Sequence, residues 1–170
     1  MSRPPHEIGA SVKRLQVRHH RAIYAELAPL HITPVQWDAL RHLEHNPEAS
    51  LHDLARLTHQ TDQAFGTLAG RMIDRGLIER VPGPGRAVRH RITDKGYELL
   101  TAANRIVDAV LSASFNSLTP DELAQFDALL TKLLPPPPQI SIPTDGRPSA
   151  VGGGADARVR RALGPPRTSD

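Results

Sequence analysis

The stretch from Ser50 to Thr93, SLHDLARLTHQTDQAFGTLAGRMIDRGLIERVPGPGRAVRHRIT, leaves little choice of structure. It reads as two short helices joined by a tight turn, then a two-stranded hairpin with an arginine near its tip. The spacing predicts a first helix over Leu51–Leu57. Ser50 is its N-cap, Asp53 takes the reciprocal capping position, and Leu51, Leu54, Ala55 and Thr58 share one face. The turn at Thr58–Gln60 holds none of the residues that usually announce one. Thr61 then caps a second helix whose apolar stripe is Ala64, Phe65, Leu68, Met72 and Ile73. Asp62 suits the positive end of that helix, and Gly76 ends it.

The face left over on the second helix is Gln63, Gly66, Thr67, Gly70 and Arg71. A helix of this kind fits a major groove, with Gln63 and Thr67 reaching base edges and Arg71 reaching phosphate or base. Gly66 and Gly70 each cost up to about 1 kcal/mol relative to alanine. Their small size serves either close approach to DNA or close packing against another helix. In the hairpin, Leu77–Pro82 and Val88–Thr93 are the extended runs and Pro82–Gly85 is the turn. Val88, His90 and Ile92 alternate with Arg89 and Arg91, so one face can pack while the other meets solvent or phosphate. Arg56, Arg71, Arg75, Arg80, Arg86, Arg89, Arg91 and Lys95 outnumber Asp62, Asp74, Glu79 and Asp94, a basic surface beside a candidate reading helix.

Helices flank this core. A long one is expected from Ile8 to Ala28, stopped by Pro29, with Ile8, Val12, Leu15, Ile23 and Leu27 as its stripe. Thr33-Pro34-Val35-Gln36 is a helix start with a cap, a proline at N1 and a capping box, and Trp37 anchors that helix in the core. After the hairpin, Thr93 caps a helix from Asp94 to Ser117, in which Gly96 is tolerable. Thr119-Pro120-Asp121-Glu122 starts the last helix. The fold class is therefore mainly α with a small β-hairpin wing: a winged helix-turn-helix with N- and C-terminal dimerisation helices. Its divisions are an N-terminal dimerisation helix over 1–30, the winged DNA-binding region over 31–93, C-terminal dimerisation helices over 94–134, and a Pro/Gly/Arg-rich disordered tail over 135–170.

Composition narrows the function. The net charge of +3 mildly favours an anionic partner. With no cysteine, thiolate catalysis, disulfides and cysteine-based redox sensing are excluded. No apolar run is long enough to span a membrane and no signal peptide is read before Ile8, so the expected location is cytoplasmic. Nine histidines invite a metal site. However, only His42 and His45 have tight helical spacing, no carboxylate or cysteine set accompanies them, and the adjacent His19 and His20 cannot face one ligand. No nucleophile elbow or phosphate-binding loop is present. No metal, cofactor or catalytic residue is expected, and the chain is read as a binding protein rather than an enzyme.

The segments ITPVQWDALRHLEHNP, SLHDLARLTHQTDQAFGTLAGRMIDRGLIER, RITDKGYELL and SLTPDELAQFDALLTKL together resemble the MarR-type (multiple-antibiotic-resistance regulator) transcription factors, in order and spacing, over Val12–Leu134. The resemblance implies a homodimer joined through its first and last two helices. It also implies a winged domain that represses by binding palindromic operator DNA. Carried onto this chain, it places Thr61, Asp62, Gln63, Gly66, Thr67 and Arg71 on the recognition helix and Arg86 on the wing, where arginine enters a minor groove. Arg89 on the adjoining strand joins this DNA-binding set. One departure stands out: the family's wing has an Asp two residues before that arginine, and Pro84 is there instead, in a hairpin about two residues shorter. The resemblance further implies a small aromatic or acidic effector bound between the dimer and winged parts, near Val17, His20, Tyr24, Trp37, Leu40 and Leu43, with Arg18, His19 and His20 neutralising an acid. The competing function is a protein-interaction module on the same scaffold, without specific DNA readout.

Overall fold

The computed structural model describes residues 3–83, 88–134 and 136. The wing tip with Arg86 and all of the expected tail but residue 136 lie outside the described residues. In chain order the elements are α1 (Pro5–Leu27), a 3-10 turn (Ala28–Leu30), α2 (Pro34–His45), α3 (Leu51–Leu57), α4 (Asp62–Asp74), β1 (Ile78–Pro82), β2 (Val88–Ile92), α5 (Asp94–Phe115) and α6 (Pro120–Leu133). This is the expected mainly helical fold with a hairpin wing.

Helix starts follow the caps. Thr33 and Gln36, Ser50 and Asp53, and Thr119 and Glu122 each form a closed capping box, in which side chain and backbone N–H satisfy each other reciprocally. Asp53 is short for this role, yet its Oδ2 accepts from the Ser50 N–H at 3.0 Å. Thr61 accepts from the Ala64 N–H and Thr93 from the Gly96 N–H. The first helix begins at Pro5 rather than Ile8, because proline at N1 is already preorganised for a helix. It ends at Leu27, and Pro29 is absorbed in the 3-10 turn that follows.

The turn between α3 and α4 is closed by His59 at φ 54. The Gln60 N–H reaches Ala55 O and the His59 N–H reaches Arg56 O, the double bond pattern by which a left-handed residue ends a helix. Glycine fills the same role after α4, where Gly76 has φ 68. Histidine there accepts a left-handed cost of about 1–2 kcal/mol, which explains why composition gave so weak a turn signal.

The core lies where α1 runs along α5 and α2–α4 close over them with the hairpin. Leu27, Leu40, Leu54, Met72, Leu77, Leu100 and Val107 are fully enclosed. The strands pair antiparallel with Ile78 opposite Ile92, Arg80 opposite His90 and Pro82 opposite Val88. Ser50 adds an isolated antiparallel bridge to Arg89, so the hairpin is tied to the first residue of the helix-turn-helix. The expected alternation along β2 holds at His90 and Ile92 but not at Val88, which is 52% exposed. Pro82, its partner, is exposed as well, so the hairpin has left the body of the domain by that point. The last helix α6 buries no residue, and Leu123, Leu129 and Leu133 are exposed, as are Ile8 and Val12 of α1.

His90 is 4% exposed, makes no hydrogen bond among the described residues, and has a buried, unpartnered Nδ1. Burial holds its pKa below the ordinary histidine value, and the Arg80 guanidinium lowers it further. The unfolded chain therefore binds a proton here below about pH 6.5 that the fold resists. The contribution to stability is full above that pH and is lost as pH falls, with a slope of at most about 1.4 kcal/mol per pH unit for one proton. Thermal unfolding followed from pH 7.5 to 5.5 should show a falling midpoint, with part of the fall removed in His90→Leu. Identical pH dependence in both proteins would refute this assignment. His19 and His42, both also held low mainly by burial, contribute in the same direction.

Candidate nucleic-acid interface

The second helix of the pair, α4, turns Phe65, Ala69 and Met72 into the core. That orientation leaves Asp62, Gln63, Thr67 and Arg71 exposed on the opposite side, with Gly66 and Gly70 between them. A Cβ built on either glycine meets nothing within 4 Å, so no other element of the described chain covers them. Of the two roles open to these glycines, packing against another helix of the described chain is thereby removed. The side chains of Gln63 and Arg71 have no hydrogen bond or ion pair among the described residues. Thr67 donates its hydroxyl to Gln63 O at 3.1 Å, keeping its lone pairs available. Asp62 is engaged: both carboxylate oxygens lie at 3.0–3.1 Å from His52 Nδ1 of α3. This pair ties the start of α4 to α3.

The hairpin's arginines divide. The Arg80 side chain projects from β1 with no hydrogen bond among the described residues, and Arg91 donates twice to one oxygen of Glu79, Oε1, at 2.7 and 2.9 Å in an exposed pair. Arg89, expected on the DNA-facing side, is withdrawn: its side chain is 12% exposed and pairs with Glu48. Sequence reasoning missed Glu48, since nothing local links it to a residue so distant in the chain. Arg86 lies outside the described residues.

The expected effector residues do not converge on one site. His20 and Trp37 border a groove of about 760 Å³ between α1, the start of α2, and the ends of α5 and α6, with an apolar lining that includes Leu15, Ile23, Leu111, Phe115 and Phe126. Tyr24 and His20 border a second groove of about 360 Å³, whose far wall is Ala64, Thr67, Leu68 and Arg71 of α4. Val17 lines neither; it lies on another face of α1, with Lys13, Arg14 and Arg21. Leu40 and Leu43 are enclosed in the core, because the α2 face that presents Trp37 to the groove turns them inward. Trp37 is both rim and anchor: its Nε1–H donates to Asn104 at 2.7 Å and Arg41 lies 5.6 Å over its ring.

His19 is not set up to neutralise an acid as expected, while Arg18 keeps its charge and is turned to α5. Arg18 donates to Ser114 Oγ of α5, and His19 Nε2 lies 2.7 Å from the same oxygen. Burial, reinforced by Arg18, also holds the His19 pKa below its ordinary value, favouring the neutral ring. His45 is bonded to Arg41 O and His42 lies against Asp38 and Arg41. Among the described residues no group of three or more metal-binding side chains comes together, and no helix is long and apolar enough to cross a membrane.

Comparison with known proteins places this geometry. Residues 32–87 match the model of the MarR family. The chain is 30% identical over 113 residues to the HTH-type transcriptional repressor Rv2887 of Mycobacterium tuberculosis, covering 65% of this chain and 81% of that protein. The solved structure of Rv2887 in complex with salicylic acid is similar at a TM-score of 0.64 and 27% identity, over 78% of this chain and 98% of that one. A mutant MarR from Escherichia coli complexed with operator DNA shares the fold at a TM-score of 0.69 and 24% identity, over 79% and 100% of the two chains.

Proposed function

The chain belongs to the MarR family, and on that footing we propose that it is a ligand-responsive, homodimeric transcriptional repressor that binds palindromic operator DNA in the cytoplasm. One observation carries the DNA-binding part: an exposed face of α4 whose Gln63 and Arg71 have no partner in the described chain and whose glycines front open space. Gln63 and Thr67 read base edges, Arg71 takes a phosphate, and Thr61 and Asp62 set the start of the helix. Arg86 on the wing is assigned to the minor groove.

The winged region is 31–93, flanked by dimerisation parts at 1–30 and 94–134. The open leucines of α6 and the exposed Ile8 and Val12 of α1 support that division, since such a face requires a partner. Two copies present two α4 helices to half-sites about 34–36 Å apart. The effector is a small aromatic or acidic molecule. Of the residues first expected to hold it, Tyr24, His20 and Trp37 face grooves. The smaller groove is bounded by α4 itself, so a ligand there bears directly on the reading helix. The salicylic acid complex of Rv2887 supports this class of effector. No catalytic chemistry forms part of the proposal.

Selection of bound duplexes from a random library tests it. An inverted repeat is expected, and Arg71→Ala should weaken binding to it about tenfold and reduce the salt slope by about one. Equally weak binding to selected and scrambled duplexes would instead favour a protein-interaction role for the scaffold.

A further inference from the structure

The root of the wing holds an arginine that the DNA-binding reading does not use. Arg89 is on β2, its side chain almost enclosed, with its guanidinium on the Glu48 carboxylate. Its main chain bridges Ser50, which caps α3. Backbone and side chain of one residue are thus both fastened to the connection between α2 and α3, at the point where the hairpin leaves the domain. A cation poised for phosphate stands in water until the phosphate arrives. Arg89 is instead neutralised beforehand, by a carboxylate that is 60% exposed and would itself repel a nearby phosphate. Its other neighbours add to the contrast: Val81 and Pro82 of β1, Leu43 of α2 and Tyr97 of α5 surround it and His90 in a groove of about 340 Å³.

We propose that Arg89 is a strut rather than a DNA contact, and that Glu48 is the positioning residue that fixes the angle of the wing to α4 through it. This rests on the repressor reading above, since an angle matters only if wing and helix engage one duplex together. The mechanism is steric and electrostatic. With Glu48 removed, a nearly enclosed guanidinium loses its counter-charge, and of the two ties between Arg89 and the α2–α3 connection only the backbone bridge to Ser50 remains.

The test compares Glu48→Ala, Arg89→Ala and the reversed pair Glu48→Arg/Arg89→Glu in the full chain. Affinity for the selected duplex is measured across a salt series, and amide exchange of β1 and β2 is measured without DNA. A strut predicts that each single variant loses affinity tenfold or more, with the salt slope unchanged and hairpin exchange faster. It also predicts that the reversed pair recovers to within about threefold of the parent. A phosphate contact predicts the opposite pattern and would overturn the proposal: a slope lowered by about one in Arg89→Ala, tighter binding in Glu48→Ala, and no recovery in the reversed pair. Should the parent select no duplex, the repressor reading fails separately. Hairpin exchange then decides the strut, with protection lost in both single variants supporting it and unchanged protection sinking it. Glu48→Gln, which keeps the shape and removes the charge, guards against a reversal that fails to fold and should behave as Glu48→Ala does.

Discussion

Gly96→Ala is expected to destabilise the domain by about 3 kcal/mol or more. A Cβ at this position would lie 2.1 Å from Leu77 O and 2.7 Å from Ile92 Cγ2. The first of these is a backbone atom and cannot rotate away. Leu77 O is moreover held in place, accepting from the Thr93 N–H at 3.1 Å and from Thr93 Oγ1 at 3.2 Å. Thr93 in turn caps α5 through the Gly96 N–H. The first turn of α5 thus presses its backbone directly against the corner between α4 and β1, and only hydrogen fits between them. Relief requires α5 to lift off the corner, which strains the cap and opens the core around Leu77, Ile78 and Ile92. Urea unfolding of the variant should show a midpoint shifted strongly down with a similar slope. A loss under about 1 kcal/mol would mean that α5 does not sit on the corner as described.

That glycine marks the boundary of what the residues disclose when read in order. At the start of a helix glycine reads as merely tolerable, because its cost depends on an element that packs from another part of the chain. Features written in residues three or four apart were legible. All three capping boxes, the caps at Thr61 and Thr93, the glycine after α4 and the apolar stripes follow from spacing, since both partners lie within one turn. Features that pair distant residues were not. Glu48 with Arg89, His52 with Asp62, Ser114 with Arg18 and His19, and the bridge from Ser50 to the hairpin join segments that sequence order keeps apart.

The candidate site divides along the same line. The outward face of α4 emerged as expected, because burying Phe65, Ala69 and Met72 fixes what remains outside. The effector residues scattered, because placing Val17, Leu40 and Leu43 in a cleft requires knowing how α1 and α2 turn against each other. His59 is a different case. A histidine in the left-handed region carries no compositional mark, and the turn is imposed by the packing of α3 against α4 rather than chosen by its residues.

Alanine at both Gly66 and Gly70 should raise stability and lower operator affinity. The two glycines are in the interior of α4, outside the left-handed region, and a Cβ added at either would meet no other part of the described chain within 4 Å. Alanine there meets no clash and gains helix propensity, about 1 kcal/mol at each site. A fold carrying two such costs on one exposed face, without a packing reason inside the described chain, is keeping that face low for something outside it. On the operator-binding reading that object is the floor of a major groove. Two methyl groups then hold α4 away from the base edges and weaken the contacts of Gln63 and Thr67, each good base contact being worth about 1–3 kcal/mol. The expected double variant melts higher than the parent and binds its selected duplex at least tenfold more weakly. Opposite signs matter more than either magnitude, since a variant that lost affinity by misfolding would lose stability as well. A more stable protein with unchanged affinity would place the DNA elsewhere on the domain.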